Sequence, residues 1–190
     1  MITRAIRLLI HFYVNSRLRL NPGITLSGRI QIKGWPIIDV RTRSKLIIGR
    51  NVTLNSFNDS YHVNMFAPVK ILSRVPDSVI QIGNNSRIHG TCIHAQRYIS
   101  IGNNCLIAAN CQIMDGSGHN LDPDNRLETT TEGKPIIIED DVWLATGVIV
   151  LPGTTIRRGS VISAGSVVSG TIEEYSLVAG NPAKVMRKLR

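Results

Sequence analysis

The sequence predicts an all-β solenoid, a parallel β-helix of short strands, and two observations predict it. Between Ile138 and Glu173 an aliphatic residue recurs every six positions, at Ile138, Leu144, Val150, Ile156, Ile162 and Val168. The fifth position of each hexad is also restricted, reading Val142, Val148, Thr154, Ser160, Ser166 and Ile172. A period of six fits neither the 3.6-residue helix nor one long strand, but it fits a chain that makes a short strand, turns and repeats. Three such sides close a triangular coil of about 18 residues, and stacked coils pair their strands at roughly 4.8 Å. First-position side chains then fill a narrow prism that has no room for rings, in keeping with three Phe, two Trp and four Tyr in 190 residues. The period gives the coil and not its hand.

In chain order, residues 1–23 come first. A helical apolar set (Ile2, Ala5, Ile6, Leu9, Ile10, Tyr13) is mixed with Arg4, Arg7, Arg17 and Arg19, and Asn21-Pro22-Gly23 stops the run. The apolar core from Leu8 to Val14 is too short to span a membrane, which takes about 20 residues, and no small-residue cleavage site follows it. Two readings stand: a helix that caps the open end of the solenoid, and a basic amphipathic helix on an anionic membrane surface. The solenoid is expected over 24–180. Its early coils are degenerate or carry loops, since Asn55 to Asp77 is irregular; Ile30 and Ile48, 18 residues apart, read as one full coil.

A second regular block opens at Ile82, Ile88, Ile101 and Ile107, where the spacing of 19 from Ile82 to Ile101 marks one extra residue flanked by His89 and His94. An insertion of this kind bulges the chain and re-aims its side chains. Regularity then fails over 115–135, a polar Gly- and Pro-containing loop that packing does not require. Residues 181–190 read as a short basic helix after Asn181-Pro182.

The net charge of +9 is unevenly placed: residues 1–74 carry +10 and residues 75–190 carry −1. This asymmetry suits an anionic membrane surface or a phosphorylated substrate. Nucleic acid is the weakest reading of the charge and no such partner is expected, because no helix-turn-helix, zinc-finger or RNP pattern accompanies it. Cys92, Cys105 and Cys111 each stand four places after a hexad-opening Ile and read as core fillers, and no signal-peptide pattern is present. Both point to a reducing, cytoplasmic setting, with contact at the inner membrane surface as the peripheral option.

Among residues able to carry chemistry, His119 lies in the irregular loop, where an imidazole suits proton removal from a hydroxyl near neutral pH; a solvated loop histidine is the plain alternative. Asp115, four residues earlier, either orients the imidazole, binds a sugar hydroxyl, or is a turn residue before Gly116. Trp143 does not fit a prism and must point outward.

The hexads, the Val142-Trp143 turn and the closing VAGNPAKV from Val178 to Val185 resemble the hexapeptide-repeat acyltransferases, of the polysaccharide, maltose and galactoside O-acetyltransferase type. The resemblance runs from about Ile82 to Val185. It implies a left-handed coil, acetyl-CoA as co-substrate, and a homotrimer with active sites between subunits. It implies His119 as general base for direct transfer from the thioester to a sugar hydroxyl, with Asp115 beside it. It places His89 where a galactoside acetyltransferase has a substrate-contacting Asn, and Trp143 beside the acceptor; His94, which flanks the same slip as His89, is a further candidate substrate contact. A pantetheine groove then runs along Ala145, Thr146, Ser163, Ala164 and Gly165, with Pro182, Lys184 and Arg187 towards the coenzyme A phosphates. The acceptor that best fits the basic N-terminal region is a phosphorylated or lipid-linked glycan precursor of surface-polysaccharide assembly. Two rivals remain: a γ-carbonic-anhydrase-like zinc protein, suggested by the His89-x4-His94 pair, and a non-catalytic solenoid. No metal site is assigned.

Overall fold

The computed structural model describes residues 4–59 and 61–190. Among the described residues one α-helix, α1 (Arg4–Leu20), precedes twenty-one strands in three sheets. The first sheet holds β1 (Ile24–Leu26), β4 (Lys45–Ile48), β7 (Val79–Ile82), β10 (Tyr98–Ile101), β13 (Ile136–Ile138), β16 (Thr155–Ile156) and β19 (Thr171–Ile172). The second holds β2 (Ile30–Lys33), β5 (Val52–Asn55), β8 (Arg87–His89), β11 (Leu106–Ile107), β14 (Trp143–Leu144), β17 (Val161–Ile162), β20 (Ser176–Gly180) and β21 (Ala183–Lys188). The third holds β3 (Ile37–Val40), β6 (Lys70–Ser73), β9 (Cys92–Ala95), β12 (Gln112–Met114), β15 (Ile149–Val150) and β18 (Val167–Val168). Up to β20, each strand pairs in parallel with the one three places on, so three strands make one coil and the coils stack.

The hexad openers form the inner columns. Ile48, Ile82, Ile101, Ile138, Ile156 and Ile172 are in register on the first sheet, and Leu54, Ile88, Ile107, Leu144, Ile162 and Val178 on the second. Nearly all are fully buried, and each such side chain contributes about 1.5–3 kcal/mol. Ile172, counted above at a fifth position, takes a first-position slot because it follows Val168 by four positions instead of six. The polar fifth positions are satisfied inside: Thr154 Oγ1 donates to the Leu151 carbonyl (2.6 Å) and Ser160 Oγ to that of Glu173 (2.9 Å).

The corner between first and second sheets carries an amide ladder. Asn84 Nδ2 donates to Asn103 Oδ1 (3.0 Å), and Asn103 Nδ2 to Asp140 Oδ1 (3.0 Å). Asn85, Asn104 and Asp141 turn this corner with positive φ, a conformation Asn and Asp tolerate better than most residues.

Several expectations are corrected. Ile30 pairs with Val52, and Ile48 with Leu26, so the first coil is 22 residues long and the 18-residue interval joins two different faces. The surplus lies in the corner at Arg41–Ser44, since Ile32 to Ile38 keeps the regular step of six and Ile38 to Ile48 is ten. Helix α1 does pack on β1 and β2, but through Ile10, Val14 and Leu18. The expected set is otherwise turned out: Ala5, Ile6, Leu9 and Tyr13 are exposed, and Ile2 lies outside the described residues. The helix has two apolar stripes, and the core takes the one with spacing of four.

The C-terminal helix is instead β21, antiparallel to β20 after a reversal at Gly180 (φ +105) and the cis Asn181-Pro182 peptide. A helix there would leave the outer edge of β20 unpaired. Cys105 and Cys111 are buried as expected, whereas Cys92 faces outward, half-buried. The corner from Ile88 to Ile93 is five residues long where that from Ile107 to Ile113 is six, so Thr91 fills the inner slot. Its hydroxyl donates to the His89 and Ala108 carbonyls, both at 2.9 Å.

Candidate active site

Two loops leave the coils at different corners. One, residues 56–69, joins β5 to β6 at the corner between second and third sheets. The other, residues 115–135, joins β12 to β13 at the corner between third and first. The sequence marks both as irregular.

The 115–135 loop is a small folded hairpin. His119 bridges Thr129, Gln96 Nε2 donates to the Thr130 carbonyl (2.9 Å), and Asp122 caps a single 3-10 turn at Pro123–Asn125. His119 is exposed, with Nδ1 3.2 Å from the carbonyl oxygen of Arg126. A carbonyl only accepts, so Nδ1 carries the proton and Nε2 presents a lone pair.

Asp115 has other work than orienting His119, and that expectation is corrected. It is fully buried; Oδ1 accepts from Gln96 N (2.6 Å), and Oδ2 from Arg97 N (2.8 Å) and Tyr98 N (2.7 Å). These amides belong to the lengthened corner after His94. The net extra residue seen in the sequence is a corner shortened at Gly90 followed by one extended at Gln96-Arg97, and Asp115 holds the extension.

At the other corner, His89 stacks on Tyr61 of the 56–69 loop, with ring centroids 4.6 Å apart and planes at 24°. Asn55 Nδ2 lies 3.2 Å from His89 Nδ1; an amide nitrogen only donates, so Nδ1 accepts and Nε2 carries the proton. Burial, then the positive charges of Lys33 and Arg87 and the neighbouring His62, push the imidazole down to about 4. His89 is therefore neutral near pH 7 and offers an N–H. The loop is fixed by Asn110, whose Oδ1 accepts from Phe66 N (2.9 Å) and whose Nδ2 donates to the Asn64 carbonyl (2.8 Å). It presses so closely on Gly90 that a Cβ there would meet Met65 and the Ala67 carbonyl. Asn55, Tyr61, His62 and Asn110 were not singled out from the sequence; a long polar insertion beside a histidine is the only signal that would have drawn attention to them.

Below this loop the same corner descends through the residues expected to hold coenzyme A. Gly147 N donates to the Ala109 carbonyl (3.0 Å) and Gly165 N to that of Thr146 (2.9 Å), so the Ala145-Thr146 and Ser163-Ala164-Gly165 corners stack directly. Gly180 N then bonds Ser166 Oγ (3.1 Å), which sets Pro182 and the exposed Lys184 at the foot of the column. The shelf is open, since a Cβ on Gly165 (φ +69) would touch nothing within 4 Å. Arg187 lies opposite Leu177, further along β21.

Trp143 points outward from the second sheet, 45% exposed, in the row with Arg87 and Leu106. His94 lies on the third sheet beside Met114 and Leu72, half-buried. Burial lowers its pKa, partly opposed by Asp115. Thus His89 joins the 145–165 column, whereas His119 and His94 do not, and among the described residues no three His, Cys, Asp or Glu side chains cluster to hold a metal ion.

The repeats match two family models: the bacterial transferase hexapeptide (six repeats) over residues 135–170 and the hexapeptide repeat of succinyl-transferase over 98–116. An Escherichia coli protein whose name assigns it, provisionally, to O-acetyl transfer in lipopolysaccharide biosynthesis is 37% identical over 115 residues, 55% of this chain and 56% of that protein. A hexapeptide-repeat acetyltransferase of Vibrio cholerae, solved with acetyl coenzyme A, is 38% identical with a TM-score of 0.54, over 58% of this chain and 61% of that one. A galactoside acetyltransferase solved with coenzyme A shares the fold, with a TM-score of 0.59 and 22% identity over 97% of this chain and 80% of that one. The chain spans about half the length of the curated relatives it matches. By these matches the chain carries bacterial-transferase hexapeptide repeats, and its relatives are hexapeptide-repeat acetyltransferases.

Proposed function

We propose that the protein is an acetyl-CoA-dependent O-acetyltransferase acting on a sugar hydroxyl, with His119 as general base on a left-handed coil. The observation that carries this reading is the Arg126 carbonyl on His119 Nδ1, which leaves Nε2 as the proton acceptor. Nε2 takes the proton of the acceptor hydroxyl as the oxygen forms a bond to the acetyl carbon. The carbon–sulfur bond breaks, and the imidazolium returns the proton to the departing thiolate. The open shelf at Thr146 and Gly165 suits an extended pantetheine, and Lys184 and Arg187 suit its phosphates. His89 offers its Nε2–H where a galactoside acetyltransferase has a substrate-contacting Asn, one amide-type donor standing in for another.

His119 and the 145–165 shelf lie at different corners of one chain. A homotrimer with each site between two copies answers this, bringing one copy's loop to its neighbour's shelf. The acceptor we assign is a lipid-linked or phosphorylated glycan precursor at the inner membrane surface. The relative named for lipopolysaccharide biosynthesis and the +10 charge of residues 1–74 support it. The test is acetyl transfer from acetyl-CoA to a panel of glycans, read by mass spectrometry. A gain of one acetyl group on a sugar supports the reading, and no transfer to any glycan or lipid-linked glycan opposes it.

A further inference from the structure

Helix α1 spends only one of its two apolar stripes on the core. Ile10, Val14 and Leu18 are buried, while Leu9, Phe12 and Leu20 on the opposite side are 65–79% exposed. Tyr13 extends this outer stripe and meets Trp35, itself 54% exposed, edge to face at 5.8 Å. Capping the coils therefore does not explain the outer face.

The charge around the stripe has one sign. Between α1 and strands β2 and β5 lies a groove of about 1000 Å³ whose wall includes Arg4, Arg19, Arg29 and Lys33 and no acidic residue. The two acids of residues 1–74 are already paired, Asp59 with Arg7 at 2.6 Å and Asp39 with Arg74 at 2.6 Å. The remaining cations thus face outward without compensation from that part of the chain. An apolar stripe with Trp and Tyr at its margin and arginines beside it is the make-up of a helix lying in a bilayer interface. Among the described residues, no helix is long and apolar enough to cross one.

We infer that α1 and the Trp35 turn dock on a bilayer containing anionic phospholipid, with Leu9, Phe12 and Leu20 entering the acyl boundary and the groove arginines meeting lipid phosphates. The orientation lays α1 flat on the lipid and stands the stacked coils away from it. This deepens the reading of a membrane-held acceptor and rests on it only for which membrane is meant; docking is measured without acetyl transfer, so either idea can fail alone.

The test is flotation of the full chain with phosphatidylcholine vesicles, with and without phosphatidylglycerol. The wild type should float with the mixed vesicles and not with phosphatidylcholine alone. Leu9→Gln/Phe12→Gln should abolish flotation, and Arg19→Gln/Arg29→Gln should weaken it about fivefold or more per cation. Thermal unfolding of the purified variants checks that these exposed substitutions leave the fold intact. Failure of the wild type to float, or equal flotation with neutral vesicles, would overturn the inference. So would a Leu9→Gln/Phe12→Gln variant that floats normally but dissociates by light scattering, which would show the stripe covered by a second copy.

Discussion

Asn55 Nδ2 stands 3.2 Å from His89 Nδ1 and fixes the imidazole as an Nε2–H donor, with Tyr61 stacked on its face. Its pKa, about 4 in the fold against 6.5 as the ordinary value, has a consequence for stability. Between those values the unfolded chain binds a proton that the folded chain refuses, so this contribution is full above about pH 6.5 and is lost as pH falls towards 4. The wild type should lose more thermal stability than His89→Asn between about pH 7 and pH 4.5. Equal losses in the two proteins would show that His89 is not held neutral.

Asp115 is predicted to be structural. Asp115→Ala leaves three backbone amides without their acceptor, that of Gln96 buried and those of Arg97 and Tyr98 part-buried, a cost of about 3 kcal/mol, and should lower Tm by several degrees. Acetyl-CoA affinity, measured by calorimetry at low temperature, should be unchanged. A variant of normal Tm would contradict the assignment.

The shelf can be probed at its foot. Lys184→Gln should weaken acetyl-CoA binding about tenfold, and the difference should shrink with added salt, because an exposed ammonium contributes mainly charge. The fold should be unaffected, since the Lys184 side chain makes no hydrogen bond or ion pair among the described residues. An unchanged Kd would move the phosphates elsewhere.

The inner columns were legible because a narrow prism accepts only aliphatic and small residues at fixed spacing, and Ile138 to Val168 obey that rule without exception. Legibility ended where corners change length. Cys92 and Ile172 were misplaced because counting by six cannot see a corner that drops residues, and Ile30 and Ile48 because one long corner in the first coil makes residues on two different faces fall 18 apart. The faces of α1 were confused because both stripes are apolar and only contact with β1 and β2 selects one. Strand β21 replaced a helix because an exposed edge of β20 demands a partner, which is a tertiary requirement. His119, the proposed base, stood out in the sequence only as a histidine in a break of the repeat. Arg126, Asn55 and Tyr61, which set the tautomers of His119 and surround His89, are contacts across loops that no local pattern encodes.

The central claim is that His119 removes the acceptor proton, and acetyl transfer by His119→Ala tests it most directly, with acetyl-CoA binding measured on the same sample. The account predicts a rate lowered about 100-fold or more with coenzyme affinity retained. A variant that binds acetyl-CoA and transfers within about threefold of the wild-type rate, well inside the loss expected for a general base, would contradict it.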